Sequence, residues 1–368
     1  MLGTTTTMSL RGFSCGILAL AFTATAAFAQ SSQDIPRRPD GRPDLSGTYD
    51  IATLTPLQRP AEYGDKLTLT EEEAAALAAG GQSLERIFNI PDERNVEAEA
   101  PREAPPVGGD GSTGAAGNVG GYNSFWMDRG AGGFQIDGQW RTSIITDPPN
   151  GRQPAMTPEA QAARAAYVAA YVRPNTGTAW WLEDDLEAPG PYDNPEQRPL
   201  AERCLMGFGS TAGPPMLPVL YNNLKRIVQT DDTVLILVEM VHDARVVRMN
   251  QEHAPPGIRS WLGDSVGRWE GDTLVVDTTN FTDSPALGGG SRNLHVVERF
   301  SRIDADTLLY QFTVDDPTVW TAPWSGEYVG PASDDRFYES ACHEANYSFG
   351  GILRGARILE DDARAAAR

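Results

Sequence analysis

Lysine is nearly absent from this chain: Lys66 and Lys225 are the only two, and every other basic residue is arginine. Histidine is limited to four residues and cysteine to three, in 368 residues with a formal charge of −20. That balance argues against the basic patches by which nucleic acids and anionic membrane surfaces are recognised. No apolar run is long enough to span a bilayer. The sequence has no G-x-S-x-G elbow and no P-loop, and no glycine fingerprint set between a strand and a helix as a Rossmann fold requires. Serine-hydrolase, nucleotide and dinucleotide chemistries are therefore poor readings. H-E-x-x-H, H-x-H and clustered carboxylate loops are also missing, so neither a metal nor another cofactor is expected.

Residues 1–29 read as a signal peptide. Arg11 is their only charge, Gly12 to Ala26 is small and apolar, and Ala27-Phe28-Ala29 offers a cleavage site before Gln30. A periplasmic or secreted location follows as the expectation. After Cys15 is removed, Cys204 and Cys342 remain, and an oxidising compartment would most simply join them in one disulfide. Two buried free thiols are the alternative.

Along the mature chain, residues 30–45 are polar and proline-rich and read as a flexible leader. Thr70 to Ala79 carries a helix signal, with a Thr70/Glu73 capping box and Gly80-Gly81 to end it. Ala104 to Gly121 is rich in Gly, Pro and Ala and has few side chains able to build a core. A second helix is expected from Thr157 (N-cap) and Pro158 to about Val172. From about Leu217 the pattern becomes that of short strands: 226–229, 233–241, 245–249, 273–279, 293–302, 307–314, 318–328 and 336–342. Tight turns such as Glu270-Gly271-Asp272 separate them. The expected fold is mainly β, an antiparallel meander closing into a barrel or sandwich. A loop-rich elaboration with two short helices, residues 46–216, would pack on a barrel of residues 217–360, followed by a tail at 361–368.

The four histidines, His242, His253, His295 and His343, all fall in the strand-rich part, threaded with carboxylates and arginines. Charges inside apolar segments are costly unless paired or wet, so a polar pocket is expected. Glu239 lies in an apolar run and Asp277 shares strand parity with Val275, making both candidate inward bases. The alternative for Glu239 is a structural pair with Arg245 or Arg299. His242 and His343 are candidate proton carriers, and Arg245 is a candidate stabiliser of negative charge. Asp264, on a loop between Trp261 and Trp269, is a candidate general acid, because apolar rings raise a carboxyl pKa. His295 and Glu298 have opposite parity, so only one of them can face inwards. Trp126, Arg129, Trp261, His295 and Tyr347 are candidate substrate-binding residues.

At Asp40–Gly47, Trp261–Asp264, Arg268–Phe281 and Ala341–Tyr347 the chain resembles a large family of exported bacterial proteins, a likeness that covers about residues 40–357. The resemblance implies a calycin or lipocalin-like barrel. Less directly, it implies a cofactor-independent hydrolase that cleaves β-aryl ethers of lignin-derived dimers with inversion. Such a reaction needs a base for water, an acid or cation for the departing phenolate, and aromatic walls. A small aromatic molecule is then the expected partner, and self-association is left open. A lipocalin-like carrier of an apolar ligand, and an isomerase or lyase using the same residues, are the rival expectations.

Overall fold

A computed structural model describes residues 35–89, 129–171, 176–182, 189–207, 209–211, 213–344 and 346–368, with only the backbone described at 81–89. The expected signal peptide, residues 30–34 of the leader, the Gly-rich stretch 104–121 and Trp126 lie outside the described residues.

The front of the chain supplies β1 (Gly47–Asp50), β2 (Thr68–Leu69), α1 (Glu71–Asn89), β3 (Gln135–Ile136), β4 (Gln139–Arg141), β5 (Ile145–Asp147) and α2 (Pro158–Tyr171). The rest supplies β6 (Leu224–Gln229), β7 (Thr233–Val238), β8 (Ala244–Met249), β9 (Asp264–Glu270), β10 (Thr273–Thr279), β11 (His295–Arg302), β12 (Thr307–Asp315), β13 (Trp324–Pro331) and α3 (Tyr347–Ala366). Ten strands form one sheet in the order β1-β6-β7-β8-β9-β10-β11-β12-β13-β5, and β2-β4-β3 form a small second sheet. The large sheet curls into a half-barrel. Its first and ninth strands meet at an antiparallel bridge between Tyr49 and Ala332, supported by the Ser333 N–H donating to the Thr48 carbonyl at 2.9 Å. β5 pairs with the other end of β13, at Ser325 and Gly326.

Period-two alternation builds the interior. On β12, Leu308, Tyr310, Phe312 and Val314 are buried on one face, and on β7 so are Val234, Ile236 and Val238. Trp324 and Tyr328 on β13 and Phe300 on β11 join them. Each such side chain contributes about 1.5–3 kcal/mol by leaving water. Gly326 faces inward where a Cβ would stand 2.6 Å from Phe312 Cζ, so only glycine fits between the ring and the strand.

Deep in this core the Arg245 guanidinium grips both carboxylate oxygens of Glu298, and both side chains are almost wholly buried. The Tyr310 hydroxyl donates to Glu298 Oε1 at 2.7 Å and accepts from the Met216 N–H at 2.9 Å, while Tyr328 donates to the Met216 carbonyl at 3.0 Å. Burial first, and the Glu298 charge second, push both phenols well above their usual range. Met216 is buried on these two rings, so the chain itself fills this part of the interior.

Several expectations are corrected. β8 and β9 are parallel (Val247↔Ser265, Met249↔Gly267), so the sheet is not a pure antiparallel meander. The connection 250–263 is long enough to cross over. β9 reads as a loop in the sequence because glycines interrupt it, and Gly267 is needed where Met249 packs against it. The last strand begins at Trp324 rather than 318, and residues 336–342 form none. α1 keeps the Thr70/Glu73 capping box (2.8 and 3.2 Å) yet runs through Gly80-Gly81 to Asn89. α2 starts as expected, with Thr157 Oγ1 accepting the Ala160 N–H at 3.2 Å. Residues 35–45 are held in place, since Arg37 pairs with Asp272 and Arg38 with Asp231, both at 2.6 Å.

The helix α3 is not foreseen either, because Gly350, Gly351 and Gly355 dilute its signal. Its Glu360 accepts from Trp181 Nε1 at 2.9 Å, which fastens it to the front of the chain. The expected disulfide is present: Cys204 and Cys342 are bonded, with Cα atoms 5.7 Å apart. Closing a loop this long stabilises the fold by about 2–5 kcal/mol.

Arg245→Met would strand the Glu298 carboxylate in the core and should cost about 3–5 kcal/mol, read as a lower urea midpoint at unchanged slope. The double variant Arg245→Met/Glu298→Leu should regain most of that loss. A single-variant cost below about 1 kcal/mol would show that the pair is not what holds the interior together.

Candidate functional site

On the outer face of β9, β10 and β11 a chain of alternating carboxylates and basic side chains is assembled. Strand parity sends Thr278, Val296 and Glu298 inwards, and so turns Asp277 and His295 outwards. Register then places Asp264 opposite Thr279 and Asp277 opposite Val297. Asp277 is therefore not the inward base expected from its parity with Val275. Glu298 takes the inward position and His295 the outward one.

Arg248 on β8 donates to both oxygens of Asp264 at 2.8 and 2.9 Å, and to Gln251 Oε1 at 3.1 Å. Asp264 Oδ2 lies 3.0 Å from His253 Nδ1 and accepts the Ala254 N–H at 2.8 Å. His253 Nε2 lies 3.0 Å from Asp277 Oδ1. Both oxygens of Asp277 then meet His295 Nε2 at 3.1 Å. His253 thus has a carboxylate oxygen at each ring nitrogen. His295 differs, since no described residue hydrogen-bonds its Nδ1, and its side chain is 40% exposed. A carboxylate-oriented imidazole with one nitrogen open to water is equipped for proton transfer.

The charges set the protonation ranges. Asp277 is held below the usual carboxylate range by its bond to His295, against the opposing effect of burial. His295 is raised by the bond to Asp277, again against burial. For Asp264, burial is the largest single effect and pushes upward, but Ala254, His253 and Arg248 together outweigh it and leave the pKa lowered. Asp264 is thus a carboxylate held ionised by its partners, not the general acid that nearby tryptophans suggested.

A second polar group lies at the same end of the barrel. β7 stops at Val238, and Glu239 begins a tight turn, Met240–His242, whose Val241 (φ 58°) and His242 (φ 45°) are both left-handed. For a β-branched residue that conformation costs about 1–2 kcal/mol. Glu239 is buried and accepts the Tyr338 N–H at 3.2 Å, pairing with neither Arg245 nor Arg299. Lys225 faces it from β6, 1% exposed. Burial drives Lys225 down to about 7 against the pull of Glu239, Asp50 and Asp243. Burial likewise raises Asp243 to about 6, opposed by the Gly207 N–H and by the His242 and Lys225 charges. Near this group is a mainly apolar cleft of ≈ 740 Å³ lined by residues 53–57, Arg129, Ile144, Gly209, Ser210, 217–221 and Met240.

The structure thus unites Asp264, Asp277 and His295, brings Glu239 and His242 together elsewhere, and separates the remaining candidates. Arg245 is neutralised by Glu298 in the core and is not available to a substrate. His343 is exposed beside the disulfide and Tyr347 is 86% exposed, so neither lines an enclosed pocket. Trp261 is 38% exposed just before Asp264, and Arg129 lines the cleft. His253, Arg248 and Lys225 are missing from the expected set. His253 lies on a crossover loop, where no periodicity assigns a facing, but its membership of a small histidine set marked it. Lys225 had one signal, lysine's rarity.

Among the described residues no group of three or more His, Cys, Asp or Glu side chains is arranged to hold a metal, and no helix is long and apolar enough to cross a membrane. No family model, curated protein or solved structure matches the chain.

The Asp277–His295 pair sets a window of pH. A raised histidine contributes fully below its ordinary value near 6.5 and loses the contribution as pH rises through its higher folded value. A lowered carboxylate loses its share as pH falls through its folded value. Asp277→Asn should therefore lower the His295 titration midpoint followed by NMR. It should also flatten the pH dependence of stability above about pH 6.5. An unmoved His295 midpoint would show that the contact is not electrostatically significant.

Proposed function

We propose that the chain is an exported, cofactor-independent hydrolase that cleaves the ether bond of a small aromatic, lignin-derived β-O-4 type substrate, with His295 as general base and Asp277 as its orienting partner. The observation that carries this reading is the two-oxygen grip of Asp277 on His295 Nε2, which leaves Nδ1 open to solvent. In the proposed step, Nδ1 takes a proton from a water molecule as that water attacks the ether carbon. The carbon–oxygen bond breaks and the electron pair leaves on the phenolate. Arg248 supplies positive charge along the same surface for that developing anion. Trp261, exposed three residues before Asp264, is the aromatic wall assigned to the substrate. The family resemblance supports the reaction class, and the Cys204–Cys342 bond is compatible with export.

Two rival readings fare differently. A lipocalin-like carrier needs an empty lumen, whereas Tyr310, Tyr328, Trp324 and Met216 are packed into this interior. An isomerase or lyase would use the same proton-transferring pair, so product analysis must separate it from a hydrolase.

The decisive assay incubates the purified full chain with a model β-O-4 dimer in oxygen-labelled water. Phenol release with label in the glycerol product is expected. His295→Gln should lower kcat by about 10²–10⁴-fold with little change in KM, while circular dichroism shows an intact fold. Release without label would indicate elimination instead. No turnover, or a His295→Gln variant as active as the parent, would overturn the assignment.

A further inference from the structure

The apolar cleft of ≈ 740 Å³ is built from residues that the His295 surface does not use. Its size falls among clefts that enclose a small molecule. Residues 53–57 form one wall and 217–221 the other, and Ile144, Leu217 and Met240 are buried where they line it. Both walls have backbone groups already committed within the protein. The Pro56 and Leu57 carbonyls accept the Ile144 and Ile145 N–H groups at 2.9 and 3.0 Å. In the second wall, the Asn223 side chain accepts the Val219 N–H and donates to the Val219 carbonyl, both at 2.9 Å. The Leu217 N–H donates to the Ser210 carbonyl at 2.7 Å. What the walls offer a visitor is therefore mainly hydrocarbon.

Arg129 is the one charged side chain among the lining residues. The segment that carries it is pinned to the first wall. Gly130 (φ 81°) lies so close that a Cβ there would stand 2.7 Å from the Ala52 carbonyl oxygen. The Leu54 N–H donates to the Gly132 carbonyl at 2.9 Å, and the Thr53 hydroxyl donates to the same oxygen at 3.3 Å. Arg129 has a further interaction within the protein. A guanidinium carries five N–H donors, enough to serve a protein group and a ligand oxygen together. No carboxylate lines the cleft, so it offers nothing to a cation. A polyanion would meet a single cation in a chain of formal charge −20.

We propose that the cleft binds an apolar monocarboxylate, with its hydrocarbon body between the two walls and its carboxylate on the Arg129 guanidinium. Removal of the body from water supplies the affinity. The charge-assisted bond to Arg129 selects the acid over a neutral molecule of the same shape. An alkyl body and an aryl body both satisfy apolar walls, so the recognised chemistry is one carboxylate on a hydrocarbon body. This site is separate from the His295 surface and does not depend on its role.

Calorimetric titration of the full chain at pH 7, where carboxylic acids are ionised, tests this with octanoate and 4-phenylbutyrate, each against its primary amide, up to about 1 mM. At least one acid should bind, and about tenfold or more tightly than its amide. The tighter of the two acids identifies the body as alkyl or aryl. Arg129→Gln should bring the acid down to the affinity of the amide and leave the amide unchanged. Leu220→Glu, at a lining position that is 45% exposed, should weaken the acid about tenfold and the amide much less. No binding of either acid, or equal affinity for acid and amide, in protein whose circular dichroism shows it folded, would overturn the proposal. So would a Leu220→Glu variant that binds the acid as the parent does, which places the ligand elsewhere. The parent and Leu220→Glu decide the matter even if Arg129→Gln fails to fold.

Discussion

The ion pair between Arg245 and Glu298 is what the rest of the architecture is arranged around. Two opposite charges buried inside a curled β-sheet are tolerable only if each is satisfied locally. Here the guanidinium is met by both carboxylate oxygens, and the carboxylate is met again by Tyr310. Tyr310 and Tyr328 then take the backbone of Met216, so residues that precede the strand region become part of its core. A polar network that binds β8, β11, β12, β13 and an incoming loop leaves little freedom in register. Shifting β11 by one residue would exchange Glu298 for its neighbours and expel the charge to the outside.

The same constraint decides where chemistry is possible. Because β11 must deliver Glu298 inwards, it must deliver His295 outwards, and β10 follows with Asp277. The outer-face chain Arg248–Asp264–His253–Asp277–His295 is therefore a geometric consequence of the buried pair. Its carboxylates are held ionised by their hydrogen-bonding partners, and it remains partly hydrated, with one imidazole nitrogen unbonded by any described residue. The group around Lys225 obeys opposite physics. There burial dominates, one cation sits among three acids, and both the amine and Asp243 are drawn towards neutrality. One group lies partly in water and the other almost wholly out of it.

Much of the frame was legible along the chain. The strand signals at 233–241, 273–279 and 307–314 correspond to β7, β10 and β12, although β7 stops at Val238. The Thr70/Glu73 and Thr157/Pro158 signals are local hydrogen-bonding rules and held as well. Asp264, Asp277 and His295 stood out as charges in apolar company and do come together. What escaped were features that depend on distant partners. α3 is held by Trp181 and its neighbours rather than by helix propensity, β9 pairs in parallel across a crossover, and His253 gains its role only when a loop folds over two strands.

Sequence by itself therefore determined the mainly β character, the strand alternation, the helix starts and the pairing of the last two cysteines, since each rests on short-range periodicity or on simple counting. Only the tertiary structure decided which parity of β10 and β11 faces water, that Arg245 is consumed by Glu298, and that the buried Lys225 Nζ makes no hydrogen bond among the described residues. Those outcomes depend on contacts between residues far apart in the chain, and a strand's pattern names its two faces without saying which of them the core will claim.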